Sequence, residues 1–568
     1  MAARLKTRTG GHLVIECLQA LGAEVAFGLP GIHALAFWEA LRSSPIRSLN
    51  FRTELNAGFA ADGYARVSGR PAPLLLSTGP GALNALTALM ESASAHVPVV
   101  AIASQIPRDL IGKRRGYLHE LPDQLASFAP IVKWSARVDR LEELPDMLAQ
   151  AWRQSLTPPS GPTYLEIPVD LLTGTAASEI ELPLAGKIPS PLVGAGPSAH
   201  ASGALVPGER LRRSGQGGGS FNEAIKLLAH ATRPVIWAGG GVLRSEAWSE
   251  LQQLAELLDA PVATTYMGKG AFPDDHPLSA GSACDDRAFQ ELLEQADVVL
   301  AVGTELGAET TAQYQLRFGG RLVQIDADPS RIGATYPALG LVGDARTTLQ
   351  TLLSSLPLLG RAGERVTKGA QRARAVRERI TLGLDAQHRD LERGLLSAIR
   401  SVLPRDAVSA WDMTILGYWA AAHFQALAPR TFLYPLGSGT LGYAWPAALG
   451  AKAALPHTPA LAVVGDGGFL YGMAELLTAR QHRLDAKLLL IDDGGYGILR
   501  EYQRDAYGET HAVDLVQPDL LAVCAACGVA ARATTPERIA ADLGWAFEAD
   551  GPAALVLRET LVSAKPTP

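Results

Sequence analysis

The chain has 568 residues, 47% of them apolar and 19% charged, with a formal net charge of −6. That length allows about three or four domains. The mildly acidic balance, without blocks of like charge, argues against a nucleic-acid partner or an interaction tail. Four cysteines are too few for a disulfide scaffold, so the expected compartment is the reducing cytoplasm. No run approaches the roughly 18 apolar residues that cross a bilayer, so no membrane partner is expected. Residues 1–11 are basic but lack the apolar core of a secretory signal.

From the N-terminus, helical and strand patterns alternate, which predicts α/β layers built on parallel sheets. "PLLLS" (73–77), "VPVVAIAS" (97–104) and "PTYLEIP" (162–168) are apolar on both faces, as strands covered by helices must be. Residues 184–220, rich in Pro, Gly, Ala and Ser, read as a linker. The Arg-rich stretch 359–385 reads as a surface helix or a second linker. Cutting at both gives three doubly wound parallel-sheet domains: 10–185, 220–358 and 386–562.

The middle segment supplies strands in "RPVIWAGGGVL" (233–243), "ADVVLAVGTEL" (296–306) and "RLVQIDADP" (321–329). Gly239 and Gly241 open a glycine turn, but Arg244 stands where a dinucleotide fingerprint has its third glycine. The nucleotide signal is therefore weak, and a purely structural α/β domain is the better reading. In the last segment Cys524 and Cys527 form a lone CxxC. With no second ligand pair, they read as small helix residues rather than a zinc or redox site.

The last segment carries the most specific pattern. "PALAVVGDGG" (459–468) is a strand ending in a loop, "YGMAELLTARQH" (471–482) has helical spacing, and "AKLLLID" (486–492) is the next strand, followed by "DGGYG" (493–497). In such a β-α-β unit, parallel strands deliver Asp466 and Asp493 to one carboxyl edge, where open α/β sheets bind ligands. Two carboxylates there suit Mg²⁺, a hard ion that takes few protein oxygens and completes its shell with phosphate. Gly467 and Gly468 let the backbone approach an anion at the following helix N-terminus. Any one of these acids alone would read as a loop or cap residue.

The GDG sequence, the spacer and the second glycine corner resemble the cofactor motif of thiamine diphosphate enzymes of the acetolactate synthase-like superfamily. Asp492 and Asp493 depart from the family's Asn pair, which adds negative charge beside a diphosphate. The resemblance implies Asp466, Asp493 and the Gly495 carbonyl as metal ligands. It extends to "FGLPG" (27–31), "FRTELNAGFAADGYARVSGRP" (51–71) and "STGPGALNAL" (77–86). Glu54, which alone would read as a helix-cap charge, becomes by resemblance the carboxyl at the cofactor's pyrimidine N1′. The cofactor does the hard chemistry, and an apolar pocket favours a protonated carboxyl. Gly79, Pro80, Gly81 and Asn84 would lie on the pyrimidine side. "SAWDMTILGYW" (409–419) aligns with the diphosphate loop, with Asp412 and Thr414. "LGSGTLGYAWPAALGAKAA" (436–454) would offer the Gly439 carbonyl to the 4′-amino group and Leu441 as the wedge between the cofactor's rings. An ordinary core leucine is the alternative for Leu441. The resemblance also implies half-sites from different subunits, hence a homodimer or homotetramer. FAD in the central domain stays undecided.

By the same resemblance the substrate is a small-molecule 2-oxo acid, attacked by the cofactor ylid. Loss of CO₂ leaves an enamine that is protonated or joined to a second molecule. "PGIH…RGYLHELPDQ", with His33 and His119, looks more like bacterial 5-guanidino-2-oxopentanoate (2-ketoarginine) decarboxylases than like acetolactate synthases. A pair of imidazoles suits protonation near neutrality. Alternatively His33 caps a helix and His119 bonds a loop carbonyl. Glu501 or Asp505 would meet a cationic substrate tail, or else be surface charge. A carboligase and a thiamine diphosphate-binding protein without turnover remain alternatives.

Overall fold

The computed structural model describes residues 8–177, 179–183, 218–359 and 368–566. Most of the expected 184–220 linker lies outside the described residues, as do residues 1–7. The described chain divides into two compact units: residues up to 183 with 383–565, and 218–359 with 368–382.

The first unit holds two six-stranded sheets, all pairs parallel. In the N-terminal sheet, β1 (Val25–Gly28), β2 (Arg47–Asn50), β3 (Ala72–Leu76), β4 (Val99–Gln105), β5 (Trp134–Arg137) and β6 (Thr163–Pro168) run in the order β2-β1-β3-β4-β6-β5. The second unit contains β7 (Pro234–Ala238), β8 (Val262–Thr264), β9 (Ser279–Gly281), β10 (Val298–Val302), β11 (Arg321–Asp326) and β12 (Leu339–Val342), ordered β12-β11-β10-β7-β8-β9. The C-terminal sheet of the first unit contains β13 (Val408–Trp411), β14 (Phe432–Leu433), β15 (Ala460–Gly465), β16 (Lys487–Asp492), β17 (Ala530–Thr534) and β18 (Ala553–Arg558), ordered β14-β13-β15-β16-β18-β17. Strand order reverses within each sheet, as in doubly wound folds, and the central strands β3, β4, β7, β10, β15 and β16 are buried almost throughout. This is the expected three-sheet α/β architecture.

The Arg-rich stretch is a helix, Gly369–Ala386, rather than a loop. Within the second unit, Arg372 reaches the carbonyl of Pro234 at 3.0 Å and Arg379 pairs with Glu291 at 2.6 Å. The glycine turn after β7 is filled by the chain itself. A Cβ on Gly241 would stand 2.7 Å from the Gly303 Cα, and one on Gly239 2.6 Å from Thr304 Cβ. Close backbone packing alone therefore calls for these glycines.

In the first unit, the helix Glu54–Ser68 lies against the helix Ala444–Ala454. Thr53 caps the former, its side chain accepting the Asn56 N–H at 3.2 Å, and Gly69 ends it in a left-handed turn. The contact faces are built of Gly and Ala. A Cβ on Gly63 would overlap the Ala447 carbonyl, and one on Gly450 would overlap the carbonyl of Ala60. Small residues thus bring the backbones close enough to seal the N-terminal domain against the C-terminal one.

Among the described residues no helix is long and apolar enough to cross a membrane. Cys524 is buried near the end of a helix and Cys527 half-buried as its C-cap, with the Cys524 thiol pushed up to about 11 by burial. That is the environment of an inert thiol.

Candidate active site

Strands β15 and β16 pair in register, Gly465 opposite Ile491, so Asp466 and Asp493 leave the sheet at the same edge. Asp466 is buried and Asp493 half-buried. Asp466 Oδ1 accepts the Gly467 N–H at 2.8 Å, whereas Asp466 Oδ2 and Asp493 Oδ1 have no hydrogen-bond partner among the described residues. Burial first, then the Asp493 charge, pushes the Asp466 carboxyl up to about 6; burial likewise raises that of Asp493. The Gly495 carbonyl lies in the same corner, 3.5 Å from where a Gly467 Cβ would stand. A Cβ there would also stand 2.7 Å from the Tyr496 ring, so position 467 has room only for glycine. Among the described residues, no three His, Cys, Asp or Glu side chains gather as a self-sufficient metal site. Two orphaned carboxylate oxygens and a carbonyl fit a hard divalent cation that takes its other oxygens from phosphate and water. The expected helix at 471–482 is two short ones, Asp466–Gly472 and Glu475–His482.

Asp492 does not share that corner's burden. Its carboxylate pairs with Arg558, its register partner on β18, at 2.9 Å. The extra negative charge expected beside a diphosphate is thus half neutralised within the sheet.

Asp412 is fully buried at the end of β13 and accepts the N–H groups of Met413, Gly442 and Ala444 at 2.9, 3.1 and 3.1 Å. It fixes the turn that follows Gly439 and Leu441. Burial pushes its carboxyl up to about 6. The Thr414 hydroxyl is 3.1 Å from a Cβ position on Gly465, and Gly468 stands equally close to Asp412 Oδ1. Gly439 has φ 68 and is exposed; Leu441 is half-buried, unlike an ordinary core leucine.

The other group of residues sits on the N-terminal sheet. Glu54 begins its helix, is 6% exposed, and accepts a hydrogen bond from Asn84 Nδ2 at 3.1 Å. A Cβ on Gly81 would be 3.0 Å from Glu54 Oε1, so the 79–81 turn lies directly on the carboxylate. Gly79, at φ 63, donates its N–H to Gln124 Oε1 at 2.7 Å, and Pro80 opens the short helix Pro80–Asn84. His119 packs its backbone against Gly79 in a left-handed conformation (φ 65) that L-residues adopt at a cost. Glu120 offsets it by accepting the amides of Arg115, Gly116 and Tyr117.

His33 is buried, edge-on to His119 at 5.3 Å between ring centroids and stacked on Tyr117 at 5.7 Å. Among the described residues, Nδ1 of both imidazoles is buried without a partner, and the helix after His33 is capped by Ala34 without any side-chain bond. The capping alternative for His33 is therefore not what the fold shows. The structure thus gathers Glu54, His33, His119, Gly79, Pro80, Gly81 and Asn84 into one group, and Asp412, Thr414, Gly439, Leu441, Gly467, Gly468, Asp466, Asp493 and Gly495 into another. Glu501 and Asp505 belong to neither: Glu501 accepts the Ser563 N–H at 2.9 Å, and Asp505 pairs with Lys565 at 2.8 Å.

Sequence reasoning passed over the residues that hold these groups in place. Gln124 joins the Gly79 amide to Tyr164 and Glu166. Glu475, fully buried, accepts the Arg52 N–H at 3.0 Å and Asn56 Nδ2 at 3.1 Å just around Glu54. Asp62, Arg66 and Glu91 form a buried charged cluster. The one available signal was an acid and a base four apart, Asp62 and Arg66, in an otherwise small and apolar helix.

Three family descriptions match the chain in order: thiamine pyrophosphate enzyme N-terminal TPP binding domain over 8–127, central domain over 221–352, and C-terminal TPP binding domain over 412–557. The chain belongs to the thiamine pyrophosphate enzyme family. It is a thiamine diphosphate-dependent enzyme of the 2-oxo acid decarboxylase and acetolactate-synthase type.

Among its relatives, the probable 2-ketoarginine decarboxylase AruI of Pseudomonas aeruginosa is 38% identical over 490 residues, 86% of this chain and 82% of that one. The probable acetolactate synthase large subunit of Methanocaldococcus jannaschii is 32% identical over 544 residues, 93% and 88% of the two chains. The solved thiamine diphosphate-dependent 4-hydroxybenzoylformate decarboxylase of Rhodococcus jostii RHA1 superposes with a TM-score of 0.79 at 25% identity, covering 98% of this chain and 100% of that one.

Proposed function

We propose that the chain decarboxylates a 2-oxo acid, with 5-guanidino-2-oxopentanoate as the leading substrate and Mg²⁺ as the metal. The observation that carries this reading is the edge-on pair His33 and His119, 5.3 Å apart between ring centroids, with Nδ1 of each left without a partner among the described residues. A decarboxylase must return a proton to carbon, and imidazole titrates where that transfer works. Asp466, Asp493 and the Gly495 carbonyl would hold the metal. Gly467, Gly468, Asp412 and Thr414 shape the diphosphate end, and Gly439, Leu441, Gly79, Pro80, Gly81 and Asn84 the aminopyrimidine end. Glu54, buried at the start of its helix, would face the pyrimidine ring with its carboxyl. Bound there, thiamine diphosphate supplies the carbon nucleophile and the electron sink.

Glu54 is held by Asn84 of its own N-terminal domain, and Asp466 by the Gly467 amide of the C-terminal one. This supports a homodimer or homotetramer in which the halves meet across copies. Exposed apolar side chains beside each group, such as Ile32 and Leu118 on one and Tyr471 and Leu499 on the other, suit such an interface. An active monomer in gel filtration would contradict that assembly.

A second reading, an acetolactate synthase-like carboligase, is supported by the likeness to the Methanocaldococcus protein. The deciding experiment follows CO₂ release with thiamine diphosphate and Mg²⁺ across a panel of 2-oxo acids, with products identified. Aldehyde from 2-ketoarginine supports the first reading, and acetolactate from pyruvate alone the second. No turnover across the panel refutes both.

A further inference from the structure

We infer that the buried cluster Asp62, Arg66 and Glu91 is a clamp that sets the backbone of residues 434–443 and thereby positions the cofactor's aminopyrimidine end; the inference rests on the assignment of Gly439 and Leu441 to that end. Glu91 lies within the helix Leu86–Ser94 and is fully buried. Its carboxylate accepts the Ser438 N–H at 2.7 Å, the Ser438 hydroxyl at 2.9 Å and the Gly437 N–H at 3.3 Å. Arg66 donates to Glu91 at 2.8 Å and to the Tyr434 carbonyl at 3.1 Å, and pairs with Asp62 on its other edge. Asp62 in turn accepts the Tyr443 hydroxyl at 2.8 Å and that of Ser92 at 2.9 Å. The start, middle and end of the segment are therefore tied to one cluster.

The chemistry of the cluster argues for positioning rather than bulk stability. Two carboxylates share one guanidinium in a buried place, and burial raises the Glu91 carboxyl. Apolar packing would hold two helices together at less cost than desolvated charge. Charge instead specifies a single geometry, because each lone pair must meet its own donor. The segment needs that specification: it contains two left-handed glycines, Gly439 at φ 68 and Gly442 at φ 80, and such residues have many accessible conformations to lose. With the amides of 437 and 438 spent on Glu91, Gly439 is left exposed at the tip of the turn.

The test compares wild type, Glu91→Gln and Glu91→Ala as full-length protein. Removing Glu91 leaves Arg66 paired with Asp62, so the variants keep a neutral pair and the fold, which far-UV circular dichroism checks. Amide exchange across 434–443 is measured by mass spectrometry on cofactor-free protein, and thiamine diphosphate affinity by calorimetry with Mg²⁺. Glu91→Ala should speed exchange in 434–443 selectively and weaken binding about tenfold or more, as expected for hydrogen bonds to a charged group. Glu91→Gln, which retains one acceptor, should fall between. Unchanged exchange and affinity in both variants overturn the clamp. Failure of wild type itself to bind the cofactor instead overturns the proposed function beneath it.

Discussion

Asp492 and Arg558 face each other across the parallel pair β16–β18 and form an ion pair of 2.9 Å, while Asp493, one residue later, turns toward Asp466. Successive residues at a strand end point to opposite sides, so adjacent acids have different work. Asp493→Ala should therefore abolish Mg²⁺-dependent thiamine diphosphate binding in calorimetry. Asp492→Asn should leave the affinity within about threefold, since the amide still offers an oxygen to the largely exposed Arg558 guanidinium and Asp492 is spent on that pair rather than on the metal corner. Equal losses in the two variants would refute this division.

Glu54 is held by Asn84 and lies against the Gly81 turn. Glu54→Gln keeps the shape and removes the exchangeable carboxyl. Cofactor affinity should change little, while hydrogen–deuterium exchange at the cofactor's C2, followed by NMR, should slow by about 10²-fold or more. Exchange at the wild-type rate would remove Glu54 from the proposed role.

Burial and the neighbouring His119 hold the His33 imidazole below its ordinary 6.5. The unfolded chain then takes up a proton on this residue at a higher pH than the folded chain. The stabilising contribution is complete above pH 6.5 and is lost as the pH falls from 6.5 toward the lowered folded value. Urea midpoints between pH 6.5 and 5 should fall less steeply for His33→Asn than for wild type. Parallel slopes would show that His33 titrates normally.

The helices Glu54–Ser68 and Ala444–Ala454 cross where Gly63 and Gly450 leave no room for a Cβ. Gly450→Ala should destabilise the protein by about 1–3 kcal/mol through overpacking. Gly544→Ala, in open space on a helix, should stabilise it by a few tenths to about 1 kcal/mol. Thermal melts of the two variants should move in opposite directions.

The β-α-β corner was legible because its signals are local: strand, glycine turn and acid lie within a few residues of each other. The same holds for Glu54, whose cap and helix are adjacent in sequence. The pairing of Asp492 with Arg558 was not legible, because 66 residues separate them and nothing local marks the register of β18. The linkage of Glu91 to Ser438 spans 347 residues, and a lone Glu in a helix reads as solvated charge. Glu501 and Asp505 looked free in sequence for the same reason; their partners sit at the far end of the chain.

By itself the amino-acid sequence determined the three-sheet α/β architecture and the delivery of Asp466 and Asp493 to one sheet edge, because periodicity and glycine turns are properties of short stretches. Only the tertiary structure decided which acids are already paired, which carboxylate oxygens and imidazole nitrogens are left without partners, and which buried charges hold the turns in place. Those are matters of desolvation and distance between remote residues, and they exist only once the strands are in register.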